Sequence, residues 1–132
     1  MTKYLKKMME GNNIRPPGLC LESFHSSFRN AINAEWSQSE GGYESVFYED
    51  GLEHIARFDA SGLLLEYKMF LPENLLPEKI REQLVGRGEV MHAVLINKGN
   101  LIEYDVIIRD PDFQRFQMTY SQTGDIRMEQ ML

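Results

Sequence analysis

Residues 43–69 read YESVFYEDGLEHIARFDASGLLLEYKM, and the fold turns on this stretch. Asp50-Gly51 separates two runs rich in aromatic and apolar residues. Such a pair suits a two-residue type I′ hairpin, whose central positions both need positive φ. Leu52, His54, Ala56 and Phe58 alternate with Glu53, Ile55 and Arg57, the period of a strand with two distinct faces. Asp59-Ala60-Ser61-Gly62 reads as an Asx-type turn, in which the aspartate side chain bonds backbone N–H groups ahead of it. The stretch is therefore three antiparallel strands: Tyr43–Glu49, Leu52–Asp59 and Leu63–Phe70.

Working outward, Ile32–Gln38 reads as a further strand, with Ile32, Ala34 and Trp36 on one side. Before it, Leu21, Phe24 and Phe28 share a stripe at helical spacing, so Leu19–Asn30 is expected to be a helix that Pro17 opens. After it, Pro77 opens a second helix on which Leu76, Ile80 and Leu84 form the stripe, and Gly86 and Gly88 end it. Four more strands follow: Val90–Asn97, Leu101–Arg109, Phe113–Tyr120 and Ile126–Leu132. Val90, His92, Val94 and Ile96 are expected on one face. Ile102, Tyr104, Val106 and Ile108 oppose Glu103, Asp105 and Arg109.

The element order is helix, four strands, helix, four strands. Leu101–Met131 reads as a second copy of the opening pattern at an offset of about 62 residues, with Phe58 on Tyr120, Ser61 on Thr123 and Gly62 on Gly124. The expected fold class is α+β: tandem helix-plus-four-stranded antiparallel units with the helices on one sheet face. Residues 1–16 form an N-terminal tail or short helix. Residues 17–71 and 72–132 are the first and second repeats, packed as one domain. A unit of this size buries little alone, so a shared core is expected.

The chain has 132 residues and a formal net charge of −6. Met1–Arg15 carries Lys3, Lys6, Lys7 and Arg15 against Glu10, which leaves 10 basic and 19 acidic side chains in the rest. An acidic body argues against nucleic acid, whose phosphates need a positive field. No apolar run reaches the length of a membrane span, so no membrane insertion is expected. Cys20 is the single cysteine, which excludes an intrachain disulfide and a cysteine-rich metal site. Residues 1–10 lack the apolar run of a signal peptide. The compartment is cytoplasmic as the sequence stands, and periplasmic if a signal peptide precedes it.

The helix with its apolar stripe, Asn33-Ala34-Glu35-Trp36, the Tyr43–Phe47 strand and the Asp59–Gly62 turn together resemble the PepSY-like proteins. These are also described as β-lactamase-inhibitor-like and are common in Bacteroidetes. Pro77 ahead of Glu78-Lys79-Ile80 matches the proline that often opens their second helix. The resemblance covers residues 17–132 and implies a β-lactamase-inhibitor-like fold. It also implies a peptidase- or envelope-related partner. It carries over no binding residue. The second copy departs from it in having no tryptophan to match Trp36.

Catalytic constellations are weak. His25, His54 and His92 show no metal-ligand spacing. Cys20 lies near a helix start, an environment that lowers a thiol pKa, but no third catalytic group accompanies it. Glu44, Glu49, Glu53 and Glu66 are scattered, as acidic residues on a solvated sheet face are. No catalytic residue, metal ligand or cofactor site is expected. The leading expectation is a non-enzymatic protein- or peptide-binding module. Its candidate surface is an aromatic patch on the open sheet face: Trp36, Tyr43, Phe47, Tyr67, Tyr104 and Tyr120. The alternative is a small-ligand-binding or sensor protein with a pocket between helices and sheet, lined by His54 or His92 with converging carboxylates. Edge strands offer a route to pairing with a peptide or to a homo-oligomer.

Overall fold

A computed structural model describes residues 13–132. The short helix expected near the N-terminus lies outside the described residues. Residues 13–16 are described and belong to neither helix nor strand. The elements are α1 (Gly18–Ser27), β1 (Ile32–Ser39), β2 (Gly42–Glu49), β3 (Leu52–Phe58) and β4 (Leu64–Phe70). A 3-10 turn (Glu73–Leu75), α2 (Glu78–Leu84), β5 (Glu89–Lys98), β6 (Leu101–Arg109), β7 (Arg115–Ser121) and β8 (Ile126–Met131) follow. The eight strands form a sheet in chain order. The chain divides into two compact units, Met1–Tyr67 and Lys68–Leu132.

In the first unit, β1–β2 and β2–β3 pair antiparallel. Asp50 and Gly51 have φ of 52° and 79°, as the type I′ hairpin requires. The Asp59 carboxylate accepts bonds from the backbone N–H groups of Ser61 (2.9 Å) and Leu63 (3.1 Å) and from the Ser61 hydroxyl (2.6 Å). The core joins Cys20, Phe24 and Phe28 to Trp36, Phe47, Ala56 and Phe58. Phe24 meets Phe47 edge-on at 4.9 Å and Trp36 at 5.3 Å. Pairs of this kind add about 0.5–1.5 kcal/mol beyond the area they bury.

In the second unit, β5–β6, β6–β7 and β7–β8 pair antiparallel. Leu76, Ile80 and Leu84 pack on Ala93, Val106, Ile108, Met118 and Tyr120. A seven-residue helix is not stable alone, so α2 depends on this burial. Burying a side chain such as Ile80 or Leu84 contributes about 1.5–3 kcal/mol.

Two expected strand faces are corrected. Ile32, Ala34 and Trp36 do not share a face, because the β1–β2 register shifts between Ile32 and Glu35, where Asn33 has a φ of 54°. Trp36 is buried while Ile32 and Ala34 are exposed. Likewise the β5–β6 register shifts between Val90 and His92. Val90 packs against the core together with Ala93, not with His92. A bulge inserts one residue and so reverses the alternation beyond it.

Candidate functional site

Each unit presents two sheet faces, and the helix contacts decide which is which. In β2, Phe47 lies against Phe24 and Phe28 of the α1 segment. Alternation then turns Tyr43, Ser45 and Phe47 toward the helix and Glu44, Val46 and Tyr48 away from it. In β6, Val106 and Ile108 belong to the α2 core. Glu103, Asp105 and Ile107 therefore face away.

All six aromatics expected on the open face lie on the helix side. Trp36, Phe47 and Tyr120 are buried core residues, and Phe47 retains no exposed surface. Tyr43 and Tyr67 are half-buried against the first core, and Tyr104 against the second. They supply the cores rather than a patch. The reason is parity: each shares its row with a residue that the helix stripe covers.

The helix-free face of the second unit carries a different set. Phe70 meets His92 edge-on at 5.5 Å. His92 stands opposite Ile107, which stands opposite Gln117. In the neighbouring row, the Thr119 hydroxyl donates to the Asp105 carboxylate at 2.7 Å, and Met128 follows opposite Thr119. Phe70 and Ile107 are half-buried, and His92 and Met128 are exposed. The sequence held one sign of this set. Ile107 is the apolar exception in the otherwise polar row Glu103, Asp105, Ile107, Arg109.

The titratable side chains do not converge. His54 is buried between the parallel rings of Phe47 (5.2 Å) and Tyr67 (6.1 Å). Its Nε2 lies 3.3 Å from the Glu49 carbonyl and its Nδ1 has no partner. Burial lowers its pKa, against the opposing pull of the Glu49 carbonyl and of the Glu49 and Asp50 charges. His54 is thus packed between aromatic rings on the helix side of the first unit. His25 is exposed on α1. Among the described residues no three His, Cys, Asp or Glu side chains are grouped to hold a metal ion.

Cys20 reverses the expectation drawn from its helix position. Its thiol is buried and donates to the Asp59 carbonyl at 3.1 Å. Burial raises its pKa and the Asp59 charge adds to this, outweighing a backbone hydrogen bond from Gly62. It is a packing residue in a poorly activated state. The scattered glutamates serve structure: Glu49 accepts from the Asn30 N–H and Glu66 lies 3.7 Å from Arg57.

The outer edge of β1 is partly occupied. The Ile14 N–H donates to the Trp36 carbonyl (2.8 Å) and the Trp36 N–H to Asn13 Oδ1 (3.0 Å). Every residue of β8 is exposed. Among the described residues, no helix is long and apolar enough to cross a membrane.

No protein-family model and no curated protein matches the sequence. Solved structures do. A BLIP-like protein from Bacteroides fragilis shares 19% identity at a TM-score of 0.78, over 94% of this chain and 92% of its own. A DUF2874 family protein from Bacteroides ovatus shares 17% identity at a TM-score of 0.78, over 89% of each chain. A protein from Bacteroides eggerthii, provisionally described as periplasmic, shares 13% identity at a TM-score of 0.78, over 89% of this chain and 90% of its own. Likeness at these identities is likeness of fold: α+β, with a BLIP-like arrangement of two helices and an eight-stranded antiparallel sheet.

Proposed function

We propose that this protein is a non-enzymatic module that binds another protein or peptide through the helix-free face of its second unit. One observation carries the reading: this face exposes Phe70 and Ile107 in part and Met128 more fully, beside the His92 ring and among Gln117 and the Asp105–Thr119 pair. A partly exposed apolar centre inside a polar rim is the anatomy of a protein contact surface. The fold likeness to a BLIP-like protein supports the same reading, as does an acidic body that repels nucleic acid. The likeness to a provisionally periplasmic protein favours an envelope-related partner. The outer edge of β8 is the second route, open to strand pairing with a peptide or another copy of the chain.

The chain is read further as a tandem duplication of the PepSY-like kind, residues 17–71 and 72–132. Matching details support it. The Pro17 carbonyl accepts the N–H groups of Cys20 and Leu21, and the Pro77 carbonyl those of Ile80 and Arg81. A Cβ on Gly62 would meet Leu19, the second residue of α1, and one on Gly124 would meet Lys79, the second residue of α2.

The test is comparative capture from a lysate of the source organism. Phe70→Asp and Ile107→Asp are compared with wild type and with Glu82→Ala on the exposed side of α2, once circular dichroism shows all to be folded. The two face variants are expected to lose a partner that wild type and Glu82→Ala retain. Equal recovery from all four would overturn the reading.

A further inference from the structure

The two edge strands are not alike. The outer edge of β1 bonds Asn13 and Ile14. β8 is the other terminal strand of the sheet. All six of its residues are exposed, and they include Ile126, Met128 and Met131 but no lysine or proline, the residues that most often guard an edge. The Leu132 N–H donates to the Arg115 carbonyl at 2.8 Å, so by alternation Glu129 and Met131 turn their backbone N–H and C=O groups outward. The β7–β8 register passes from Thr119–Met128 to Tyr120–Ile126, which leaves Arg127 as the extra residue of a bulge. A bulge and two charges make this edge selective, and the charges state what it selects.

β8 has one cation, Arg127, and one anion, Glu129, two residues apart. An antiparallel partner runs in reverse, so such a strand is complementary to itself. Pairing centred on Met128 sets Arg127 against Glu129 twice, with Met128 against Met128 between them. Pairing centred on Glu129 sets like charges directly opposite, and pairing centred on Gln130 leaves each Glu129 against Met131. Opposite charges across a strand pair stabilise it and like charges destabilise it, so the first register is favoured. Glu129 already holds Arg87 at 2.7 Å, and a carboxylate has acceptor sites for both cations.

We propose that β8 pairs antiparallel with β8 of a second copy of this chain, in the register centred on Met128. The two-fold axis then passes by Met128, as a contact between identical surfaces requires. Arg127 of each copy meets Glu129 of the other, and the exposed Ile126 lies opposite Gln130. Six residues a side make a small interface, so the association is weak and depends on concentration. The proposal rests on the open β8 edge described above and does not require binding at the face around Ile107.

The experiment is sedimentation velocity on the full chain over a wide range of concentrations at low salt. The average mass of wild type is expected to rise with concentration toward twice that of the monomer. Arg127→Glu and Glu129→Arg each place like charges opposite one another at both pairs. Once circular dichroism shows them folded, each alone is expected to need about ten-fold more protein to associate. An equimolar mixture of the two variants restores opposite charges at both pairs and is expected to associate as wild type does. Ile107→Asp is expected to associate as wild type, which separates this contact from partner capture by the helix-free face. Wild type that stays monomeric, either charge variant associating like wild type, a mixture no better than its components, or loss of association in Ile107→Asp would overturn the proposal. None of these results alters the outcome of the capture experiment.

Discussion

His54 carries the clearest consequence at the residue scale. Its imidazole lies between two aromatic rings with one nitrogen unpartnered, so the folded state holds it neutral. Burial depresses its folded pKa below the unfolded value near 6.5. Between the two values the unfolded chain binds the extra proton. This contribution is therefore complete above about pH 6.5 and is lost as pH falls toward the folded pKa. Thermal melts from pH 7.5 to pH 5 should show a loss of stability that His54→Phe reduces; equal pH dependence of the two would contradict this. The second residue-scale prediction concerns Cys20. A buried thiol with a raised pKa should react with a thiol reagent far more slowly in the native protein than in denaturant. Fast native labelling would show that the helix start activates it after all.

At the scale of elements, the turns and the helix stripes were the most legible parts. Asp50-Gly51 and Asp59–Gly62 were readable because few residues tolerate positive φ. The pair of glycines there allows a graded test. A Cβ on Gly51 meets nothing within 4 Å, whereas one on Gly62 would lie 2.6 Å from the Leu19 carbonyl oxygen. Gly51→Ala should cost about 1–2 kcal/mol from its left-handed backbone alone, and Gly62→Ala measurably more, by chemical denaturation. Equal costs would remove the turn-to-helix contact from the account. The bulges in β1 and β5 were not legible, because Asn33 and Met91 carry no glycine or proline to announce them. Strand alternation separates two rows but does not say which row the helix covers. That is why alternation alone does not separate a surface position from a core position for Tyr43, Phe47 and Tyr67, which lie against the core. The consequence is measurable: Phe47→Ala should cost about 3–5 kcal/mol as a core truncation. Ile107→Asp, on the open face, should cost far less.

At the scale of the whole molecule, each unit uses its aromatics to build a small core, and the proposed contact surface lies on the opposite face of the second unit. The architecture was readable from element order and turn chemistry. The surface was not, because its residues come from strands far apart in sequence: Phe70 from β4, His92 from β5, Ile107 from β6 and Met128 from β8. Only register brings them together. The fold likeness at 13–19% identity adds architecture without residues of known role. The assignment of that face as the binding surface is tested most directly by placing a photo-crosslinking phenylalanine analogue at Ile107 or at Glu82 and irradiating the full protein in its native lysate. A discrete light-dependent adduct is expected from position 107 and none from position 82. Adducts from neither position, or equally from both, would contradict the assignment.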